Sequence, residues 1–503
     1  MNFCQARVRL VQAGAVFAAT ALVAGCGNNY RPVVTPVNPS GPAAQPQSLV
    51  VAVTAPSISL PGIVTVIDYA GDSILATASI GPGPTAYTLD ETGSNAYTYN
   101  SDHTVSNIPI STTLQTKQVD YTTLSSLAVP LNLFSPSAGL WATDLCATIP
   151  PSSACEPAAD VFTGGPQTFL LSIPLPATPV LVVGPGLRGT RYFALSQNIA
   201  TPTGLECNNS PTTQPLGIVT GIEVASYATD TPIPVGKCPV YAVESSDAAR
   251  LFVINRGSDT VTVINAQYDT LDACTPFLNQ AGQTVTCHPT LPLSTSAGLA
   301  QDANNDVPTV AGPVYAEYNA AKNLLVVADY VGNTISVIDV SLDEYGNDSA
   351  TFGTTYTIPV GHNPASVTVL YDGSRAYTAN QADQTVTIAN LSSYTVEKTL
   401  PVTGYPRTVV STQNSTYGKV YVASPNSNYL TILRTDQDIV DTTILLQGDI
   451  VDVRVSTQNG SSGNANNVSR IPGYGQPCNL PQAAMIATYG VNYNTLANCQ
   501  KQP

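Results

Sequence analysis

Residues 374–390 read SRAYTANQADQTVTIAN, and this stretch decides the fold. Ala376-Tyr377-Thr378-Ala379 suits a strand, and Thr385-Val386-Thr387-Ile388 alternates with a period of two, which a helix would scatter around its surface. Between them Asn380 and Asp383 fall where a tight turn needs residues that tolerate positive φ. The unit is therefore strand, turn, strand. Three more segments align with it without gaps: ARLFVINRGSDTVTVIN (249–265), NLLVVADYVGNTISVID (323–339) and GKVYVASPNSNYLTILR (418–434). SNAYTYNSDHTVSNIPI (94–110) and GIVTVID (62–68) match more weakly. Repetition at this spacing marks an array in which each unit buries its faces against the next.

Tyr377-Thr378-Ala379-Asn380, Tyr97-Thr98-Tyr99-Asn100 and Tyr421-Val422-Ala423-Ser424 resemble the Tyr-Val-Thr-Asn signature of YVTN-family β-propeller repeats. The resemblance covers residues 313–448 well, 48–110 fairly and 130–240 poorly. It implies an all-β chain folded as a β-propeller of four-stranded blades, and it says little about activity, because propellers host unrelated functions. Prolines mark the joints between blades: Pro84, Pro130, Pro179, Pro239, Pro313, Pro364 and Pro406, three of them in Gly-x-x-Pro (from Gly81, Gly236 and Gly361). Their separations run from roughly 40 to 75 residues, against a usual blade of about 40–45. With Gly448-Asp449-Ile450 as the last joint, eight blades are favoured over seven. Residues 450–455 alternate apolar and polar side chains and are expected to pair beside residues 48–53, closing the ring through a C-terminal strand.

Ahead of the repeats, Arg7 and Arg9 precede an apolar run over residues 10–23, followed by Val23-Ala24-Gly25-Cys26. This resembles the lipobox of a bacterial lipoprotein. It implies a signal peptide over residues 1–25, lipidation of Cys26, and export; the apolar run is too short for a comfortable membrane span. Each buried acyl CH₂ contributes about 0.8 kcal/mol, so an acylated Cys26 would make the membrane a partner. The expected address is the bacterial cell envelope, on the outer membrane, facing the periplasm or the surface. Residues 26–47 carry Pro32, Pro36, Pro39, Pro42 and Pro46 and are expected to form an extended tether. The propeller is expected over residues 48–458 and a tail over 459–503.

The formal charge of −15 moves to about −17 when Arg7 and Arg9 are removed, which argues against a nucleic-acid partner. With 10% charged and 43% hydrophobic residues, the chain is no disordered acidic tail. Of ten cysteines, Cys4 leaves with the signal and Cys26 takes lipid. The remaining Cys146, Cys155, Cys207, Cys238, Cys274, Cys287, Cys478 and Cys499 are even in number, which implies disulfides in an exported protein. No Cys-x-x-Cys occurs, so a zinc ribbon or thiol redox site is not expected. The long third, fourth and fifth blades are the ones with cysteines, so nearest-neighbour bridges (Cys146–Cys155, Cys207–Cys238, Cys274–Cys287) would staple local insertions. Cys478–Cys499 would close a loop in the tail. Such a loop gains roughly 3 kcal/mol in the chain-entropy model.

Reactive chemistry is sparse. The three histidines, His103, His288 and His362, fall in a hairpin turn, an insertion and a blade joint. They are too few for a copper cluster and are expected as surface turn residues. No nucleophile elbow, His-Glu-x-x-His helix or phosphate loop is present. Quinone-dependent propeller dehydrogenases use repeated tryptophans, and this chain has one, Trp141. No cofactor is expected. Asp302, Asn304 and Asp306 begin like a calcium loop, but the following glycine is missing and Pro313 stands where the bidentate Glu belongs. Asp343-Glu344 with Asn347-Asp348 forms a second acidic turn. Two functions compete: a non-catalytic scaffold that binds a protein or envelope polymer, and a lactonase-like hydrolase. The hydrolase would need a carboxylate and a histidine, or a metal, converging at the central channel. The scaffold is favoured.

Overall fold

The computed structural model describes residues 49–455, apart from 58, 91–92, 125–127, 129, 136–138, 149–153, 164–167, 185–189, 199–214, 280–281, 294–309, 345 and 417. The signal peptide, Cys26, the tether, Cys207, Asp302, Asn304, Asp306, Cys478 and Cys499 lie outside the described residues.

Eight four-stranded antiparallel sheets form a ring, an eight-bladed β-propeller. Blades 2 to 8 run in chain order from an innermost to an outermost strand. Their innermost strands are Ala86–Leu89, Pro130–Phe134, Pro179–Val183, Pro239–Glu244, Pro313–Asn319, Pro364–Val369 and Thr408–Ser411. Five begin on an expected joint proline, and Pro84 and Pro406 stand just ahead of theirs. Proline suits a strand's first residue, where no ladder N–H is lost. Blade 1 is built from both ends of the described chain: Leu49–Ala55, Pro61–Asp68 and Ser73–Pro82 form its outer three strands, and Asp449–Val455 is the innermost. Val50 opposes Val455 and Ala52 opposes Val453, with a register shift between Val53 and Thr54. The ring closes as the alternation over residues 450–455 predicts.

Because strands alternate direction, the joints and the turns between second and third strands share one end of the ring, the joint end. The chain enters blade 1 at Leu49 from the opposite end, the entry end. Exposure grows from the axis outward. Every residue of Leu324–Asp329, the second strand of blade 6, is buried, whereas Thr395–Pro401, outermost in blade 7, is almost all exposed. This explains why second strands read as continuous apolar runs: neighbouring blades cover both faces. The core accordingly lies between blades, as where Tyr241 packs on Tyr315 with ring centroids 4.5 Å apart. Each apolar side chain buried there contributes roughly 1.5–3 kcal/mol. One short helix, Ile110–Thr116, connects the third and outermost strands of blade 2.

The repeat signature has a physical cause. Asn380 Nδ2 donates to Thr385 Oγ1 at 3.0 Å and Thr387 Oγ1 at 2.8 Å, fastening the turn between second and third strands. Asn255 does the same with Thr260 and Thr262, and Asn100 with Thr104 and Ser106. In blade 6 Asp329 Oδ2 instead accepts from Thr334 and Ser336. The latch extends to the preceding blade, since Gly81 N–H donates to Ser106 Oγ and Gly236 N–H to Thr262 Oγ1. A Cβ on Gly236 or Gly361 would come within 2.5 or 2.7 Å of the Asn255 or Asn380 amide carbon. Gly-x-x-Pro therefore marks the close approach of one blade's outermost strand to the next blade's asparagine.

Two disulfides are present among the described residues. Cys146–Cys155 staples the turn between second and third strands of blade 3, and Cys274–Cys287 closes an excursion from the outermost strand of blade 5. Cys238 is also disulfide-bonded. Such bonds fit an extracytoplasmic protein. No helix among the described residues is long and apolar enough to cross a membrane.

Candidate functional site

Three polar constellations stand out, and the sequence reading anticipated none of them. The first is a set of struts at the entry end. Arg191, Arg250, Arg375 and Lys419 each open the second strand of their blade. Lys419 Nζ reaches Asp72 of blade 1 at 2.6 Å, and Arg375 pairs with Asp438 of blade 8. Arg191 and Arg250 pair within their own blades with Asp230 at 2.7 Å and Asp272 at 2.9 Å. Those carboxylates in turn hydrogen-bond a carboxyl group of the next blade, Asp269 and Asp348 respectively. Burial, followed by the neighbouring Asp230, raises the Asp269 carboxyl above its ordinary range. A signal existed: Arg250, Arg375 and Lys419 occupy one column of the aligned repeats.

The second is a polar belt on the innermost strands. Arg454 is fully buried and pairs with Asp452 at 2.8 Å. Asp452 accepts from Thr408 Oγ1 of blade 8 at 2.7 Å, and the Arg454 guanidinium lies 5.8 Å from the Tyr87 ring centroid of blade 2. Arg407 donates to the Val451 carbonyl, and Ser366 Oγ of blade 7 donates to the Arg407 carbonyl at 2.8 Å. Burial holds the Tyr87 phenol far above its ordinary pKa, so it stays neutral and donates to the Val51 carbonyl. The belt ties blades 7, 8, 1 and 2 around the closure strand.

The third pairs histidines with carboxylates. His288 donates its backbone N–H and offers Nδ1 to Asp348 Oδ2, both at 2.9 Å, and its ring stacks on Phe352. Asp348 comes from the second acidic turn, so that carboxylate fastens the blade 5 excursion to blade 6. Burial pushes the adjoining Asp272 carboxyl up, and the nearby Asp348 carboxylate, hydrogen-bonded to it, adds to the rise. His362 makes the same clasp in the joint before blade 7, with Asp383 accepting from its backbone N–H and facing Nδ1, each at 2.7 Å. His103 contacts the Tyr99 hydroxyl at 3.2 Å. Nδ1–H donation to a carboxylate orients an imidazole and leaves its other nitrogen as an acceptor or base.

Blade 3 adds a buried carboxyl pair. Asp160 accepts from Ser172 Oγ at 2.6 Å and hydrogen-bonds Asp144; burial, then the Asp144 charge, raises its pKa. Trp141 is buried between Tyr192 and Tyr227 at 4.5 and 5.9 Å. Among the described residues, no group of three His, Cys, Asp or Glu side chains is placed to hold a metal ion. The calcium-loop candidates Asp302, Asn304 and Asp306 lie outside those residues.

No family model and no curated protein sequence matches the chain. The fold is similar to that of AztD from Citrobacter koseri, at 11% identity and a TM-score of 0.50, covering 81% of this chain and 97% of that one. It is also similar to the dihydro-heme d1 dehydrogenase NirN in complex with DHE, at 11% identity and a TM-score of 0.54, covering 82% of this chain and 75% of that one. At these identities the likeness is one of propeller fold.

Proposed function

We propose that the chain is a lipid-anchored cell-envelope propeller of the YVTN-repeat type that binds a protein or envelope polymer without catalysis. The observation that carries this is the stapled excursion of blade 5. Its two-stranded hairpin, Phe277–Leu278 with Thr284–Val285, turns Phe277 (42% exposed) and Leu278 (68% exposed) toward solvent. The Cys274–Cys287 bridge and the His288–Asp348 clasp hold it rigid, and apolar side chains presented on an ordered loop lose little entropy on binding. The lipobox at Cys26 supports the anchor.

Intact-mass analysis should find acyl chains on Cys26 of the mature protein, and Cys26→Ser should abolish them; a mature chain without acylation there would remove the anchor. The Cys26→Ser chain should co-sediment with isolated envelope fragments, and adding Phe277→Asp and Leu278→Asp should abolish this. Undiminished sedimentation would remove the excursion from the binding surface.

A lactonase-like hydrolase is the second reading, favoured by the His362–Asp383 clasp, whose imidazole is one-third exposed at the joint end. It predicts turnover of a lactone panel that His362→Asn abolishes.

A further inference from the structure

Blade 5 has a split outermost strand. Thr270–Leu271 pairs with Ile264 and Asn265 at the entry end of the third strand, and Thr290–Pro292 pairs with Thr260 to Thr262 at its joint end. The excursion buds out between them. Its base is thus held on one side by two residues of strand, and each flank of that pair carries an aspartate that meets a neighbouring blade.

Asp269 faces blade 4. Its carboxyl lies over Gly221 of the third strand Leu216–Glu223, where a Cβ would come within 2.5 Å of it, and it hydrogen-bonds Asp230. Arg191 Nε holds Asp230 at 2.7 Å and lies 4.0 Å from Glu223. Asp272 faces blade 6. It takes Arg250 Nε at 2.9 Å and hydrogen-bonds Asp348, which accepts the His288 N–H and faces its Nδ1. Asp343, on the same turn of blade 6, faces the hairpin through Asn279 Nδ2 at 3.5 Å. The order cation, carboxyl, carboxyl is the same at both seams. Two carboxyl groups hydrogen-bond each other only when one carries a proton. Asp269 Oδ1 and Asp348 Oδ1 are buried, and neither accepts from an N–H or hydroxyl of the described residues.

We propose that these two seams form a pH-operated clasp: a proton in each carboxyl pair locks the excursion's base between blades 4 and 6, and loss of those protons sets like charges together and frees it. The Cys274–Cys287 bridge keeps the excursion's own shape, so the protons set its seat on the ring. Burial, then Asp230, raises the Asp269 carboxyl from 3.8 to about 6; burial raises Asp272, with Asp348 adding to it and Arg250 opposing. Folded-state values above the unfolded ones mean that the lock is complete below the ordinary carboxylate range and is lost as pH rises through about 6. His288 acts in the same sense, because its attraction to Asp348 is ionic only while the imidazole is protonated. Control of binding by the clasp rests on the reading above that Phe277 and Leu278 meet the partner: a freed excursion loses more entropy on binding than a seated one.

Amide hydrogen exchange of the full chain tests the clasp without any partner. After correction for the intrinsic pH dependence of exchange, residues 270–289 should exchange about tenfold faster at pH 7.5 than at pH 5, the change that a group raised from 3.8 to about 6 imposes on local opening. Thr385–Asn390 of blade 7 should change less than about twofold. Asp269→Asn with Asp272→Asn keeps an amide donor for Asp230 and Asp348 and cannot ionise, so its rise should shrink to less than about twofold. If the double variant loses its native circular dichroism, the single variants decide, and each should rise less than wild type. The proposal is overturned if wild-type 270–289 exchange equally at both pH values, if blade 7 speeds up as much, or if the Asn variants keep the full wild-type rise. Co-sedimentation with envelope fragments is a separate readout, so the binding reading can fail while exchange still decides the clasp.

Discussion

Asp329 stands where blades 2, 5 and 7 place Asn100, Asn255 and Asn380, and it fastens its turn through the same two hydroxyl positions. Complete burial raises its pKa from the ordinary 3.8 to about 7, against the lowering effect of the Ser336 and Thr334 bonds. A folded-state pKa above the unfolded one means the folded chain holds its proton longer. Stability from this site is therefore intact near pH 4 and lost as pH rises toward 7. Asp329→Asn keeps both hydroxyl partners and cannot ionise. Its advantage over wild type should grow by up to about 1.4 kcal/mol per pH unit between pH 4 and 7 and then level off. Chemical denaturation at several pH values measures this; a constant difference would show that Asp329 does not titrate in that range. The asparagine column was legible in the sequence. Its bonding to two hydroxyls four to seven residues later was not, because it depends on the turn bringing both strands under one amide.

At the scale of elements, the entry-end struts link one blade's second strand to the next blade, directly for Lys419 and Arg375 and through a carboxyl pair for Arg191 and Arg250. Lys419 and Asp72 are each 14% exposed, whereas Arg191 and Asp230 are 26% and 38% exposed. Lys419→Met strands a buried carboxylate and should cost about 2–4 kcal/mol, while Arg191→Met should cost less than about 1 kcal/mol. Thermal unfolding of the two variants compares them, and equal losses would mean that burial does not rank the struts. The insertions supply the other element-level test. Non-reducing peptide mapping should recover Cys146–Cys155 and Cys274–Cys287, pair Cys238 with Cys207, and pair Cys478 with Cys499. A free thiol at Cys207 would break the nearest-neighbour rule. That cysteines sit in the long blades was visible in the sequence. That the blade 5 excursion is clasped to blade 6 by His288 was not, since its partner Asp348 lies in another blade's turn.

Over the whole molecule, every blade relies on its neighbours to bury its faces, so ring closure is worth more than one strand's own contacts. Asp449–Val455 pairs with Leu49–Ala55, carries Asp452 and Arg454 into the inner belt, and accepts Arg407 at the Val451 carbonyl. Ending the chain after Gly448 removes all of this and leaves blade 1 without its innermost strand. Ending it after Gly460 keeps the strand. The shorter chain should melt well below the longer one by calorimetry; coincident melting temperatures would show that closure does not hold the ring.

Strand type, turn position, blade joints and the closing strand were determined by the sequence alone. Each rests on local rules: β-branched alternation, turn residues that accept positive φ, and proline at the joint between blades. The third and fourth blades were read only by elimination, because their insertions break the repeat spacing. Which charges become struts and which histidine meets which aspartate were decided by the tertiary structure. Those partners lie up to hundreds of residues apart, as Lys419 and Asp72 do. Only closing eight blades into a ring brings such side chains within a few ångströms, and only burial between blades then sets which carboxyl groups keep their protons.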